Sequence, residues 1–414
     1  MRLTQRLQSS RFTGLSAGLV AGLIGVLCLS VIRFSDAAPS GPPIRIGGTL
    51  ALTGPLAATA AIHKVSGEVY IDQLNRKNGL LGRPVEWVLL DDQSKPEQAR
   101  TLYERLITVD KVDLLMGPYG TANILATMAV AERYQKMLIS HTFGLPHLAK
   151  YDMHFPAVSI GYDVAKTFPN MVYDALAATP NPPKTIAIVT SKFPATHFIA
   201  GGARDVARSR GLNVVLYLEY DFGNRDFAPI ATRIKEANPD FVWVGAIGLD
   251  ANLLLDAFKK IDYTPRGHFY QFPAPGPLIR SPEAKFALSA GSFEEHPPFT
   301  DNPVAVEFIR LFYERATKAG LPYAKVELQA AGSHLAWAVL DAAVTATKSL
   351  DDKVLARWLK TNRVDTIVGR IGFDGPNNFG DSILKVEQAQ EGRWVVVWPK
   401  QWAMPGTKLV YPTP

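Results

Sequence analysis

The sequence has almost no cysteine and lacks the common signatures of a catalytic site. Cys28 is the only cysteine among 414 residues, and it lies in an N-terminal segment that we expect to be removed. No disulfide bond is therefore predicted in the mature chain. There is no G-x-x-x-x-G-K-[ST] phosphate loop and no H-E-x-x-H pair, and the mature part has no G-x-S-x-G turn. We predict no enzymatic activity and no cofactor or metal.

Long basic runs are also absent, because no run of Lys and Arg in the mature part exceeds two residues. Removing the N-terminal segment, with four basic residues and one acidic residue, lowers the formal charge from +6 to +3. That charge is too small and too dispersed to indicate nucleic-acid binding. Low-complexity segments and short repeats are missing as well, so the mature chain is expected to fold.

Residues 1–37 have the pattern of an export signal peptide. A head with three arginines precedes the apolar stretch from Gly14 to Ile32, and small residues follow near Ala37. We predict cleavage at this point and a periplasmic mature protein. Retention as a membrane anchor is the alternative, because roughly 19 apolar residues can span a bilayer. Leu27 stands where a small residue usually precedes a lipidated cysteine, which argues against a lipid anchor.

The stretch from Asn75 to Gly117 is the most informative part of the chain. It gives in turn the end of a helix, a glycine turn, a strand, an acidic turn, a second helix and a second strand. This alternation is typical of a parallel sheet. A mature length of roughly 375 residues is more than one core usually supports, so we expect two domains.

The strand that ends in Asp91-Asp92-Gln93-Ser94, the helix after it and the Gly117-Pro118 turn resemble the periplasmic solute-binding proteins of branched-chain amino acid and amide ABC transporters. The resemblance covers roughly residues 44–400. It implies an α/β fold in which two doubly wound parallel-sheet lobes are joined by a three-strand hinge. It also implies a monomer that captures a small molecule in the cleft between the lobes and delivers it to membrane permease subunits.

The resemblance further implies that the chain crosses between the lobes three times. Lobe one is expected at 44–162 and 293–366, lobe two at 163–292 and 367–401, and a C-terminal tail at 402–414. Apolar spacing predicts a helix from Val65 to Lys77, after a loop that includes His63. A strand is predicted from Ile371 to Gly375.

Three polar clusters are interpreted as structural rather than catalytic. The spacing of His141, His147 and His154 fits neither one helical face nor alternate strand positions, so we predict surface or loop histidines and no metal site. Asp91-Asp92 stands just before a helix and is expected to cap it. Glu294-Glu295-His296 is expected to lie on a surface loop.

The ends of the predicted strands indicate where a ligand would bind. Open parallel sheets bind ligands beyond the carboxyl ends of their strands, where helix N-termini also point. By the resemblance to leucine-binding proteins, Thr121 and the backbone at Thr142 and Gly144 would hold a ligand carboxylate. A Thr121 that only caps its helix is the alternative. The predicted ligand-binding residues are Thr53, Tyr119, Gly120, Thr121, Thr142, Phe143, Gly144, Phe193, Ala195, Ile247, Tyr270 and Phe272.

The second lobe departs from the amino acid pattern of that family. Leucine-binding relatives carry an acidic residue that pairs with the ligand's ammonium group, whereas the stretch from Arg266 to Arg280 contains no Asp or Glu. Burying an ammonium group without a counter-charge would cost several kcal/mol. Aromatic residues are frequent in the predicted cleft loops. We therefore predict an apolar or aromatic carboxylate as ligand, with a branched-chain amino acid or amide as the alternative.

Two other functions stay open from the sequence. One is a sensor that presents its ligand to a receptor or regulator. A neighbouring kinase or regulator gene would favour sensing, whereas neighbouring permease and ATPase genes would favour transport. The other is a secreted α/β enzyme, which would need a nucleophile and a base in the cleft. A DNA-binding repressor of related fold is disfavoured, because the export signal occupies the place of a DNA-reading domain.

Overall fold

The structure, a computed structural model, describes residues 38–414, and the predicted export segment 1–37 lies outside the described residues. The described part contains a five-stranded sheet, a seven-stranded sheet and a two-stranded ribbon. Within residues 38–414, none of the helices has the length and apolar character that a membrane crossing requires.

The first sheet is parallel throughout, with the strand order β2-β1-β3-β4-β5. Its strands are β1 (Ile44–Leu50), β2 (Val85–Asp91), β3 (Leu114–Met116), β4 (Leu138–Thr142) and β5 (His154–Val158). Strand β1 lies second from the edge and pairs on both sides, so that Ile46 lies opposite Trp87 and Leu114. Buried strands rich in Ile, Leu and Met are what a sheet covered on both faces requires.

The second sheet has the order β14-β13-β10-β9-β8-β6-β7. Its strand β13 runs antiparallel to both of its neighbours, β10 and β14, whereas the other neighbouring strands pair in parallel. Its strands are β6 (Thr185–Ser191), β7 (Asn213–Tyr220), β8 (Phe241–Gly248), β9 (His268–Pro273), β10 (Leu288–Gly291), β13 (Lys385–Gln390) and β14 (Arg393–Trp398). The ribbon pairs β11 (Val364–Thr366) with β12 (Gly369–Ile371). The segment after β14 packs back on this sheet, where Val410 N donates to Gln388 Oε1 at 2.9 Å.

Helices connect these strands and cover the sheets. The described helices are α1 (Ala57–Arg76), α2 (Pro96–Thr108), α3 (Thr121–Arg133), α4 (Val164–Ala177), α5 (Pro194–Ser209), α6 (Ala228–Ala237), α7 (Asp250–Lys260), α8 (Pro275–Ile279), α9 (Pro303–Lys318), α10 (Leu328–Thr347) and α11 (Asp352–Thr361). Although α10 follows five strands of the second sheet in sequence, it packs on β4 and β5 of the first sheet. Ser66 Oγ of α1 donates to Ala330 O at 2.8 Å, and Ser333 Oγ of α10 donates to His63 O at 2.8 Å.

Helix α1 begins earlier than the sequence pattern predicted. It starts at Ala57 rather than Val65, so His63 lies inside the helix and is fully buried instead of lying in a loop. The first turns are built from Ala57, Ala58, Ala60 and Ala61. Alanine is the strongest helix former but adds little to an apolar periodicity, which is why the pattern missed these turns.

The predicted capping role of Asp91 and Asp92 is wrong, because the residue that caps α2 is Lys95 and makes no side-chain capping bond. Asp91 instead accepts hydrogen bonds from Thr53 Oγ1 and from the amide of Gln93, both at 2.8 Å. Asp92 accepts from Thr49 Oγ1 at 2.7 Å and from the amide of Ser94 at 3.0 Å. The two carboxylates therefore hold the tight turn after β2, as Asp side chains do where the backbone needs local partners.

The strand predicted from Ile371 to Gly375 is also displaced. The structure ends β12 at Ile371, and β12 pairs only within the short ribbon. The strands that join the second sheet late in the chain are β13 and β14. Glycine at 369, 372 and 375 interrupts this stretch, which favours a ribbon and turns over a longer strand.

Helices α4 and α5 pack closely because Gly202 of α5 has no side chain where it faces α4. A Cβ added at Gly202 would lie 1.9 Å from the carbonyl oxygen of Ala165 in α4. A Cβ added at the preceding residue, Gly201, would meet nothing within 4 Å. Only Gly202 is therefore required by the packing of the two helices.

Candidate ligand-binding cavity

A cavity lies where the carboxyl ends of six parallel strands from the two sheets face each other. The space inside its lining is about 460 Å³, including the part open to solvent. Its lining residues are Tyr119, Gly120, Thr121, Thr142, Phe143, Gly144, Val158, Ile160, Phe193, Ala195, Ile247, Phe272, Leu328, Gln329 and Leu384. A mainly apolar wall with a few polar groups is typical of small-molecule sites.

The structure brings together ten of the twelve residues predicted to bind ligand, and it places Thr53 and Tyr270 elsewhere. Thr53 belongs to the turn held by Asp91. Tyr270 is buried in the core of the second sheet, and its hydroxyl lies 3.1 Å from Nδ1 of His268. Tyr270 precedes the lining residue Phe272 by two positions on β9. Its side chain therefore points to the same face of the sheet, but it lies farther from the carboxyl end of the strand and does not reach the cavity.

Five lining residues were missed by the sequence analysis. Val158 and Ile160 lie at the carboxyl end of β5. Since ligands bind beyond the carboxyl ends of parallel strands, the same reasoning applied to β5 would have predicted them. Leu328 and Gln329 open α10, and Leu384 immediately precedes β13. These three are distant in sequence from the other lining residues, and only the return of the chain to the cleft brings them there.

Thr121 occupies the start of α3 but does not cap that helix with its side chain. The capping residue is Gly120, without a side-chain capping bond. Thr121 Oγ1 instead accepts a hydrogen bond from the amide of Gly144 at 3.2 Å, linking the turns that follow β3 and β4. The hydroxyl hydrogen of Thr121 is thereby left to donate to another acceptor. This arrangement suits a carboxylate next to the N-terminus of α3.

Replacing Thr121 with Val should weaken ligand binding by about 1–3 kcal/mol, the range for losing one hydrogen bond to a charged group. Valine keeps the shape of threonine but removes the donor. Calorimetric titration of Thr121→Val and Thr121→Ser with the same carboxylate ligand would measure the effect. The serine variant retains the hydroxyl and should bind within about threefold of the wild type. Equal affinities for the valine variant and the wild type would contradict a ligand contact at Thr121.

No charged side chain lines the cavity among residues 38–414. The nearest acidic group in sequence is Glu327, the capping residue of α10, which accepts from the amides of Gln329 and Ala330 at 2.8 and 3.0 Å. Burial raises the pKa of Glu327 to about 7, and those two hydrogen bonds oppose the rise. Its carboxylate is therefore committed to the helix terminus and is a poor partner for a ligand ammonium group.

The histidines predicted to lie on the surface or in loops divide into two kinds. His147 is exposed in a short 3₁₀ turn, but His141 on β4 and His154 on β5 are fully buried, so the prediction is wrong for these two. His154 Nε2 lies 2.8 Å from the hydroxyl of Ser140, and His141 contacts His63. Within residues 38–414 no three His, Cys, Asp or Glu side chains are arranged to hold a metal ion.

The Glu294-Glu295-His296 segment is not a surface loop, contrary to the prediction. Glu294 and His296 are only 8% and 7% exposed. Glu294 Oε2 accepts from the amide of Val396 at 2.7 Å and lies 3.0 Å from His296 Nε2. Burial raises the pKa of Glu294, and the bond to Val396 opposes the rise. The segment ties the chain leaving β10 to β14.

The two sides of the cleft touch through residues that have small side chains or none. A Cβ added at Gly144, after β4, would lie 2.3 Å from the Cβ of Ala195 at the start of α5. A Cβ added at Gly248, the last residue of β8, would lie 2.9 Å from the carbonyl oxygen of Pro55. Each contact joins a turn of the first sheet to a turn of the second, so the structure shows the cleft in a closed arrangement.

Two sheets of this topology, with a mainly apolar cavity between their strand ends, define a two-lobed α/β binding protein. The profile of the periplasmic binding protein family matches residues 43–393. A leucine-, isoleucine-, valine-, threonine- and alanine-binding protein of Pseudomonas aeruginosa is 22% identical over 349 residues, which cover 84% of this chain and 90% of the relative.

Solved structures show the same fold. A leucine binding protein from Thermotoga maritima superposes with a TM-score of 0.72 at 20% identity, covering 85% of this chain and 97% of that one. A solute binding protein of an ABC transporter from R. palustris, solved in complex with benzoate, gives a TM-score of 0.73 at 18% identity, covering 86% and 95%.

The chain belongs to the periplasmic binding protein family, in the type I group of the branched-chain amino acid ABC transporters. Members of this family bind solutes and are not enzymes. The predicted fold class and family are thus confirmed.

Proposed function

We propose that the protein is the extracytoplasmic substrate-binding component of an ABC importer, and that its ligand is a small carboxylic acid with an apolar or aromatic body. The observation that carries this proposal is the composition of the cavity. Hydroxyl donors and helix N-termini are available at one wall, aromatic and aliphatic side chains form most of the rest, and no charged side chain of the described residues lines it.

The carboxylate end of such a ligand would lie at Thr121, Thr142 and Gly144. Thr121 opens α3 and Ala195 lies in the first turn of α5, so two helix N-termini converge on the cavity and favour a negative charge there. An α-amino acid would bring an ammonium group into the same space. With no acidic side chain in the lining, that group would be desolvated without a counter-charge.

The apolar end of the ligand would contact Phe143, Phe193 and Phe272 with the neighbouring aliphatic residues. A micromolar dissociation constant corresponds to about 8 kcal/mol, which a few charge-assisted hydrogen bonds and the burial of one ring can supply. The benzoate complex of the R. palustris relative supports the choice, because the same fold there accommodates an aromatic acid.

Closure would couple binding to transport. In this proposal residues 44–162 and 293–366 form one lobe, and residues 163–292 and 367–401 form the other. A ligand that contacts both lobes shifts the equilibrium toward the closed form, because only that form contacts it from both sides. The closed protein, located in the periplasm after removal of residues 1–37, would then deliver its ligand to the permease as a monomer.

The ligand class is tested by calorimetric titration against leucine, valine, benzoate, phenylacetate and 4-hydroxybenzoate. The protein should first be unfolded and refolded to release any bound small molecule, which mass spectrometry can identify. At least one aromatic acid should bind with a micromolar or lower dissociation constant, while both amino acids bind at least about 100-fold more weakly. Tight binding of leucine or valine together with no binding of the aromatic acids would refute the proposal.

A further inference from the structure

Gln329 is a cavity-lining side chain that is paired with a buried histidine. It lies in the first turn of α10, is 3% exposed and faces the cavity. Its Oε1 lies 2.9 Å from Nε2 of His63 in α1. Among residues 38–414, the hydrogen bond to His63 is the one that this side chain makes, and it uses Oε1 rather than Nε2. Because the oxygen faces His63 beneath the cavity, the amide nitrogen faces the ligand space.

A buried chain of hydrogen bonds fixes this orientation. Nδ1 of His63 lies 3.0 Å from Nδ1 of His141 on β4, and both rings are fully buried. The His63 ring also packs on the ring of Tyr119, with centroids 4.6 Å apart. Burial lowers the pKa of His63 to about 4 and that of His141 well below its ordinary value, so both rings are neutral at neutral pH. Each ring then carries one N–H.

Two arrangements of these hydrogens are self-consistent. In the first, His141 Nδ1–H donates to His63 and His63 Nε2–H donates to Gln329 Oε1, leaving a bare nitrogen at His141 Nε2. In the second, every donor is reversed, and His141 Nε2 carries an unpaired N–H. His141 Nε2 is buried without a partner. Orphaned buried N–H donors are rarer than orphaned acceptors, which selects the first arrangement.

Building on the proposed function, we propose that Gln329 is a specificity-determining residue that donates a hydrogen bond to a second acceptor group on the ligand, and that His63 and His141 orient it. The preferred ligand is therefore a carboxylic acid whose apolar or aromatic body carries a further oxygen acceptor, such as a ring hydroxyl. A ligand with a methyl group in that place leaves the buried amide donor unpaired, and a ligand with an amino group there opposes one donor with another.

The test compares matched benzoates on the wild-type protein. Hydroxy-, methyl- and aminobenzoates substituted at the 2, 3 or 4 position differ little in size. The hydroxyl group can accept and donate a hydrogen bond, the methyl group can do neither, and the amino group on the ring is mainly a donor. Titration calorimetry should show, for one ring position, the hydroxy compound binding about 3- to 10-fold more tightly than the methyl compound. The amino compound should bind no better than the methyl compound.

Gln329→Met removes the amide and keeps the length of the side chain. It should abolish the preference for hydroxyl over methyl, and the methyl compound should bind the variant at least as tightly as it binds the wild type, because no amide donor is left unpaired. His63→Leu should reduce the same preference, and the double variant should lose no more than Gln329→Met alone, because the two residues act in one chain. A purely structural role for His63 would lower the affinity for both compounds equally.

The outcomes separate the two proposals. If no benzoate binds the wild-type protein, this inference fails, whereas the proposed ligand class fails only if leucine or valine binds tightly and the aromatic acids do not. If benzoates bind but the preference for hydroxyl over methyl is absent, or survives in Gln329→Met, only the role of Gln329 is refuted. If the amino compound binds better than the methyl compound and Gln329→Met abolishes that advantage, the amide has the reverse orientation and the inferred acceptor on the ligand is wrong.

Discussion

Gly144→Ala should reduce ligand affinity by about 30-fold or more, equivalent to about 2 kcal/mol, the range for forcing an extra methyl group into a close-packed contact. The added Cβ would lie 2.3 Å from the Cβ of Ala195. Two carbon atoms cannot approach so closely, so the turn after β4 and the start of α5 must separate. Because the two residues lie on opposite sides of the cleft, the expected defect is in closure rather than in folding.

A compensating substitution makes this prediction specific. Ala195→Gly removes the atom that the new methyl group would meet, so the double variant Gly144→Ala/Ala195→Gly should recover affinity to within about fivefold of the wild type. Calorimetry with the best-binding acid gives the affinities. Urea unfolding without ligand should place all three variants within about 1 kcal/mol of the wild type. If Gly144→Ala binds weakly and Ala195→Gly does not restore the affinity, the contact between residues 144 and 195 is not the cause of the weak binding.

Two substitutions one residue apart in α5 should change the free energy of unfolding in opposite directions. Gly202→Ala should destabilise the protein by about 3 kcal/mol, because its Cβ would lie 1.9 Å from a backbone oxygen of α4 and the helices must move apart. Gly201→Ala meets no atom within 4 Å. It should stabilise the protein by about 0.5–1 kcal/mol, since alanine is the better helix former.

Urea unfolding followed by circular dichroism would measure both effects as shifts of the midpoint at an unchanged slope. Gly201→Ala is the matched control, with the same chemical change on the same helix. Similar midpoints for the two variants would contradict the close packing of α4 on α5 at Gly202.

The family and the strand ends at the cavity could be predicted from the sequence because both depend on local order along the chain. Alternating apolar strands and helices predict parallel sheets, and the residues just after each strand then meet at one edge. Thr121 and Gly144 follow such strands, and the resemblance to leucine-binding proteins indicated them as ligand contacts. Thr53 was not brought to the cavity because its hydrogen bonds to Asp91 keep it in a separate turn.

Features that depend on contacts distant in sequence could not be predicted. The relation of Gln329 to His63 joins residues 266 positions apart, and neither residue stands out in a local pattern. The burial of His141 and Glu294 likewise depends on what packs over them. A polar residue in an apolar strand gives the same sequence pattern whether its hydrogen-bond partner is water or another buried group, so the sequence does not tell the two apart.

The order in which the lining residues occur along the chain limits when this protein can first recognise its ligand. The cavity needs Tyr119 from the first third of the chain and Leu384 near the end, so a chain lacking the last thirty or so residues has an incomplete wall. Ligand therefore cannot guide early folding steps and stabilises only the finished molecule, in proportion to its free concentration. The protein therefore first binds solutes of the compartment in which its folding is completed.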